Sequence, residues 1–211
     1  MEDRSTSDRV LTSEPTHVLL VEDDDLVGAA LKSALRNFDI ALATSATSAL
    51  ARLPERNWTA LIIDIGLPEG KLAGLDVARA ARAHDPKLAV LILTGPLGAE
   101  RSLSETIALE AVQVDARVVP KPAPTQLLAD FIRRAELARM TTAQYAMEVH
   151  GFTPREASIL AWIEQNGTLA DYAAREGIAL TTVKTHAKRM IDRAGMPDLR
   201  ALLVAMVRER L

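Results

Sequence analysis

Ala60-Leu61-Ile62-Ile63-Asp64-Ile65-Gly66-Leu67-Pro68 is the stretch from which the fold can be read. Four apolar residues lead into one carboxylate, and a Gly and a Pro follow within four positions. A short apolar run bounded by turn residues predicts a buried strand of a parallel sheet. Asp64 then stands at the C-terminal edge of that strand, where open α/β sheets bind ligands. Taken alone, it reads equally well as a solvated loop Asp. What the other strands bring to the same edge decides between the two.

Residues 17–21 form a second apolar run, ending in Glu22-Asp23-Asp24-Asp25. Residues 88–93 form a third, ending in Thr94-Gly95-Pro96. Arg117-Val118-Val119 is the last strand, ending in Pro120-Lys121-Pro122, and 40–43 a weaker one. Helical spacing of apolar residues marks 26–38, 47–53, 74–83, 100–111 and 125–140. The β-α alternation, repeated five times, predicts a doubly wound (βα)5 domain with a parallel five-stranded sheet. Such a sheet gathers Glu22, Asp23, Asp64, Thr94 and Lys121 at one edge. Successive acids repel unless a cation or solvent relieves them. Carboxylates in one crevice suit Mg²⁺, and an ammonium and a hydroxyl suit phosphoryl oxygens. A carboxylate so placed can act as a nucleophile toward phosphorus.

These residues resemble the receiver domain of two-component response regulators, the CheY-like fold, over about residues 16–136. The resemblance implies that Asp64 is the phosphoacceptor, supplied by a sensor histidine kinase or phosphotransfer protein. It implies Mg²⁺ on Glu22, Asp23, Asp64 and the backbone carbonyl of Gly66. Thr94 would bond a phosphoryl oxygen, and Lys121 would pair with the acids and the phosphate. Asp24 and Asp25 fall outside the matched pair and read as solvated helix-start residues. There are three departures. Val118 stands where the family usually has Tyr or Phe, the segment from Thr94 to Lys121 is longer than usual, and the loop after Pro68 is extended. A Val has no ring to swing, so the signal would pass through the loop and helix after Thr94.

The rest of the chain is all helical in pattern. Thr153-Pro154-Arg155-Glu156 is a helix start with an N-cap, a Pro at the first turn and a capping-box Glu. Residues 169–175 predict a short helix, and Gly177 a left-handed turn. Residues 181–194 predict a third helix and 197–210 a fourth, with Leu199, Leu202, Leu203, Met206 and Val207 as its apolar stripe. A helix, a Gly-containing turn and a second helix is the helix-turn-helix layout. The helix at 181–194 carries four cations against Asp192, which suits phosphate attraction. The strings Phe152-Thr-Pro-Arg-Glu156 and Thr182-Val-Lys-Thr-His186 resemble the LuxR-type (NarL/FixJ-like) DNA-binding domain. That resemblance implies DNA contacts from Thr182, Val183, Lys184, Thr185, His186, Lys188 and Arg189, and pairing of subunits through the last helix. Ala179 departs from the usual Ser or Thr helix cap, and Thr181 is the substitute expected here.

The chain has 211 residues, 48% hydrophobic and 25% charged, as in ordinary globular proteins. There is no Cys, so disulfides and thiolate catalysis are excluded. The four His stand apart from any metal-ligand spacing. No apolar run approaches the roughly 20 residues that span a bilayer. Residues 1–151 hold 16 basic against 21 acidic residues, and residues 152–211 hold 9 against 7, so the two parts suit different partners.

The expected organisation is a disordered tail at 1–15, a receiver at 16–137, a linker at 138–151 and a helix-turn-helix domain at 152–211. The expected function is a cytoplasmic, non-enzymatic response regulator transcription factor. It would need Mg²⁺, bind double-stranded DNA as a homodimer when phosphorylated and avoid membranes, with RNA polymerase a further partner. The alternative is a phosphate sink, or a phosphorylation-independent regulator acting through protein contacts. A haloacid-dehalogenase-type phosphatase is disfavoured, because Gly66 stands where its second Asp would be.

Overall fold

The computed structural model describes residues 16–95 and 101–210. The tail expected at 1–15, and the loop beyond Gly95 that the signal was expected to use, lie outside them. The chain divides into two compact units, residues 15–139 and residues from 140 on.

In the first unit five strands form one parallel sheet: β1 His17–Val21, β2 Asp39–Ala43, β3 Ala60–Asp64, β4 Ala89–Thr94 and β5 Ala116–Pro120. Their order is β2-β1-β3-β4-β5. The helices between and after them are α1 Asp25–Ala34, α2 Ala46–Arg52, α3 Ala73–His84, α4 Arg101–Gln113 and α5 Thr125–Arg139. Strand residues alternate between two cores. Leu19, Val21, Leu61, Ile63, Val90 and Ile92 face one, shared with Ala49 of α2, Val77 of α3 and Ile107 of α4. Val18, Leu20, Ile62, Leu91 and Leu93 face the other, shared with Leu31 of α1 and Leu128 and Ile132 of α5. Each fully buried Leu or Ile contributes about 1.5–3 kcal/mol, which is why apolar runs predict these strands. Trp58 is 2% exposed, and its indole N–H donates to the Arg52 and Leu53 carbonyls at 3.0 and 3.2 Å.

α1 stops four residues short of its apolar pattern. Leu35 and Phe38 still pack on the core, but from a turn in which Phe38 N–H donates to the Leu35 carbonyl. Pro54 does not end the helical path, because it opens a 3₁₀ turn, Leu53–Glu55, where its missing N–H is not needed.

The segment expected as a linker is instead largely a helix, α6 Thr142–Glu148, two residues beyond α5. Thr141 and Gln144 form its capping box, and Thr142, Tyr145 and Ala146 are buried. It packs on the two helices that follow as α7 Pro154–Glu164 and α10 Leu199–Arg210. The Tyr145 hydroxyl donates to Glu209 at 3.0 Å, and Arg210 donates to the Met140 carbonyl at 2.8 Å. α8 Leu169–Glu176 and α9 Leu180–Ala194 complete the second unit. The Thr153–Glu156 capping box is formed, and Gly177 takes the left-handed conformation at φ 63°. α9 does not wait for Thr181: its N-cap is Ala179, whose carbonyl receives the Thr182 and Val183 N–H groups with no side-chain cap. Trp162 of α7 is half-buried, donates to the Thr168 carbonyl at 3.1 Å and lies under Arg175, 4.9 Å from its ring centre. On α10, Leu199, Leu202, Leu203 and Met206 are core residues, leaving Val204 and Val207 exposed.

Candidate phosphoacceptor site

The register aligns the C-terminal strand ends: Val21 lies beside Ile63, Asp64 beside Leu93, and Thr94 beside Pro120. Each loop is then tied where it leaves its strand. Glu22 N–H donates to the Ala43 carbonyl at 3.0 Å, Ile65 N–H to Leu93 at 2.9 Å, and Lys121 N–H to Thr94 at 2.7 Å. These bonds bring Glu22, Asp23, Asp64, Thr94 and Lys121 to one edge.

Glu22, Asp23 and Asp64 each offer a carboxylate oxygen, all within 4.8 Å of one another. Lys121 Nζ donates to Glu22 Oε2 at 2.6 Å and to Asp64 Oδ2 at 2.8 Å. Glu22 and Thr94 are buried, Asp64 is mostly covered, and Asp23 is exposed. Burial pushes the Glu22 carboxyl above the usual range, and the Lys121 hydrogen bond only partly offsets it. Burial also opposes the Lys121 charge, but the hydrogen bonds to Asp64 and Glu22 outweigh it and raise the ammonium. Three carboxylates against one ammonium leave excess negative charge, and an all-oxygen donor set fits a hard divalent cation such as Mg²⁺. Gly66 N–H donates to Asp64 Oδ1 at 3.4 Å, a long contact that keeps Gly66 beside the cluster. Asp24 is the N-cap of α1, accepting from Leu26 and Val27 N–H at 2.9 and 3.1 Å, and so turns away from the acid pair.

The raised Glu22 value has a direction. Above the unfolded carboxylate range the folded state holds a proton on Glu22 more tightly than the unfolded chain, so stability falls as pH rises through that window. Metal-free protein should therefore lose, as pH rises above the usual carboxylate range, stability that Glu22→Gln keeps. Urea denaturation of both forms across that range measures the difference.

Two contributors escape sequence reading. Gly74, in the first turn of α3, lies against the Asp64 backbone: a Cβ there would sit 2.3 Å from the Asp64 carbonyl oxygen and 2.8 Å from Ile65 Cα. Glu69, in the loop after Pro68, accepts hydrogen bonds from α2. The only signal for either was the Gly-containing extended loop itself.

The family profile described as "Response regulator receiver domain" matches residues 18–133, more than half of the chain. The chain belongs to the response regulator receiver family. Among relatives, the "Transcriptional regulatory protein PrrA" of Mycobacterium tuberculosis is 31% identical over 189 residues, covering 86% of this chain and 76% of that one. The "DNA-binding transcriptional activator DevR/DosR" of the same organism is 26% identical over 193 residues, covering 85% and 88%. A solved response regulator receiver protein from Sinorhizobium medicae, 21% identical, superposes with a TM-score of 0.50 over 61% of this chain and all of that one, a likeness of fold.

In this response regulator Val118 lies on β5 and is 36% exposed. In the second unit, Thr182, Lys184, Thr185, Lys188 and Arg189 are exposed on α9, and His186 is half-buried. Val183 corrects the sequence reading. It is fully buried, in one stripe with Ala187 and Met190, so it packs the helix onto its unit and has no surface to offer a base edge. The Thr185 hydroxyl donates back to the Thr181 carbonyl at 2.9 Å. Lys188 pairs with Asp192 at 3.3 Å, both exposed, a pair worth ~0.5 kcal/mol and easily exchanged. Arg193 is drawn off α9's exposed face to Glu156 and the Gly151 carbonyl.

Proposed function

We propose that the chain is a transcription factor of a two-component system, of the NarL/FixJ type, whose receiver accepts a phosphoryl group on Asp64. The supporting observation is the Lys121 ammonium bridging Glu22 and Asp64 inside a three-carboxylate cluster, in a chain whose relatives carry transcriptional names. The donor is a phosphohistidine of a sensor kinase or phosphotransfer protein. Its N–P bond breaks as an Asp64 oxygen bonds to phosphorus, and the imidazole leaves with the electron pair. Mg²⁺, held by Glu22, Asp23, Asp64 and the Gly66 carbonyl, would shield the phosphoryl oxygens. Lys121 releases its bond to Asp64 and neutralises the product, and Thr94 holds a further oxygen. No helix among the described residues is long and apolar enough to cross a membrane.

The output in this reading is double-stranded DNA bound by α9, through Lys184, Lys188 and Arg189 to phosphates and Thr182 toward base edges. A second copy would pair on the α10 surface left by Val204 and Val207, and RNA polymerase is the downstream partner. Lys184→Ala with Lys188→Ala should weaken duplex binding and flatten its log–log salt dependence by about 2. Fluorescence anisotropy with labelled duplex at several salt concentrations reads both. Val118 favours a second reading, in which the receiver is a phosphate sink or regulates through protein contacts alone. An affinity for DNA that is unchanged by phosphorylation selects that reading.

A further inference from the structure

The loop between β3 and α3 is fastened at a point remote from its own ends. Leu67 and Gly70 exchange backbone hydrogen bonds at 3.2 and 2.9 Å, closing a tight hairpin just past Gly66. From this hairpin Glu69 reaches the first turn of α2. Its Oε2 accepts from Ala46 N–H at 3.1 Å, and its Oε1 from Thr47 N–H at 2.9 Å and the Thr47 hydroxyl at 3.0 Å. Ser45, the helix N-cap, already receives Ser48 N–H at 3.1 Å. The N–H groups of the first turn are thus satisfied partly by a carboxylate from another element, which also meets the positive end of the helix dipole. The Thr47 and Ala46 N–H bonds hold the Glu69 carboxyl down to about 2, so the clamp is charged at any working pH.

Residues 64–66 are therefore held from three sides: through Ile65 N–H on β4, through the Ile65 carbonyl, which accepts from Gly74 N–H of α3 at 3.1 Å, and through Glu69 on α2. We propose that the Glu69–α2 clamp is a positioning device for the metal-binding loop, holding the backbone from Asp64 through Gly66 in the arrangement that accepts a divalent cation. A loop fixed in advance spares the cation the conformational entropy of ordering it. Glu69 is thus a positioning residue, and the proposal rests on the reading of Glu22, Asp23 and Asp64 as a Mg²⁺ site.

Removing outer-shell partners of metal ligands costs about 10- to 100-fold in metal affinity. A clamp three residues from the nearest ligand belongs at the low end. The experiment is titration calorimetry of the full chain with MgCl₂, together with phosphorylation by acetyl phosphate at varied Mg²⁺. Glu69→Ala should raise the Mg²⁺ dissociation constant about tenfold and the half-saturating Mg²⁺ in parallel, with the rate at saturating Mg²⁺ nearly unchanged. Glu69→Gln keeps the shape and should show a smaller change of the same sign, which secures the test if the Ala variant folds poorly. A general loss of stability does not produce that split between Mg²⁺ requirement and maximal rate. Wild-type Mg²⁺ affinity in folded Glu69→Ala or Glu69→Gln overturns the clamp. If the unaltered protein binds no Mg²⁺, the metal-site reading falls first and the clamp with it.

Discussion

Asp64→Asn should take up no phosphoryl group from acetyl phosphate and Mg²⁺, while the unaltered chain gains one per molecule, as read by intact mass. Asn has no carboxylate oxygen with which to form the acyl phosphate, and Asp64 is the mostly covered carboxylate that Lys121 holds at 2.8 Å. Uptake by Asp64→Asn at the wild-type level would move the acceptor elsewhere. An unaltered chain that stays unmodified even with its kinase would overturn the phosphorelay reading itself. The same substitution removes one of three neighbouring negative charges while leaving an amide oxygen for Lys121. In the absence of Mg²⁺ relief of that like-charge repulsion should raise stability, and the thermal shift produced by Mg²⁺ should shrink.

Gly74→Ala is the second large effect. The methyl group would lie 2.3 Å from the Asp64 carbonyl oxygen, and both obstacles, that oxygen and Ile65 Cα, are backbone. A flexible side chain could turn aside, but here a strand end or the start of α3 must move. Overpacking of this kind costs about 1–3 kcal/mol. Because the displaced atoms belong to Asp64, the proposed phosphoacceptor, and its neighbour, acetyl phosphate labelling should slow as well. Urea denaturation gives the first quantity and the initial labelling rate the second. A Gly74→Ala protein with unchanged stability would mean that α3 can slide at no cost.

The strands were legible because both faces of a parallel sheet are buried, so residues 18–21, 60–63 and 88–93 read as unbroken apolar runs. Glu22, Asp64, Thr94 and Lys121 were legible because each follows such a run, and topology alone brings them to one edge. Glu69 was not, because its partners Ala46 and Thr47 lie more than twenty residues back and no periodicity links them. Gly74 was not, because close approach of two backbones leaves no mark in hydropathy. The segment 142–148 resembled a linker because its buried face is Thr142, Tyr145 and Ala146, and Thr142 is burial-compatible only because its hydroxyl donates to Glu164 at 2.6 Å and accepts from Arg210 at 3.1 Å. Val183 could have been placed correctly from spacing: with Ala187 and Met190 it repeats at four and seven residues, the mark of a buried stripe. The match to a known string outweighed that pattern.

Trp58 and Trp162 are the only tryptophans in the chain, and they fall in different compact units. Trp58 is sealed inside the sheet's core, whereas Trp162 is half-buried under the Arg175 guanidinium. The two indoles therefore differ optically: the first should emit at shorter wavelength and resist aqueous quenchers, and the second should emit further to the red and yield to them. A single Phe replacement at either position leaves one tryptophan, which excitation at the red edge of the indole band selects over the two tyrosines. The melting of each unit can then be followed in the intact chain without a dye.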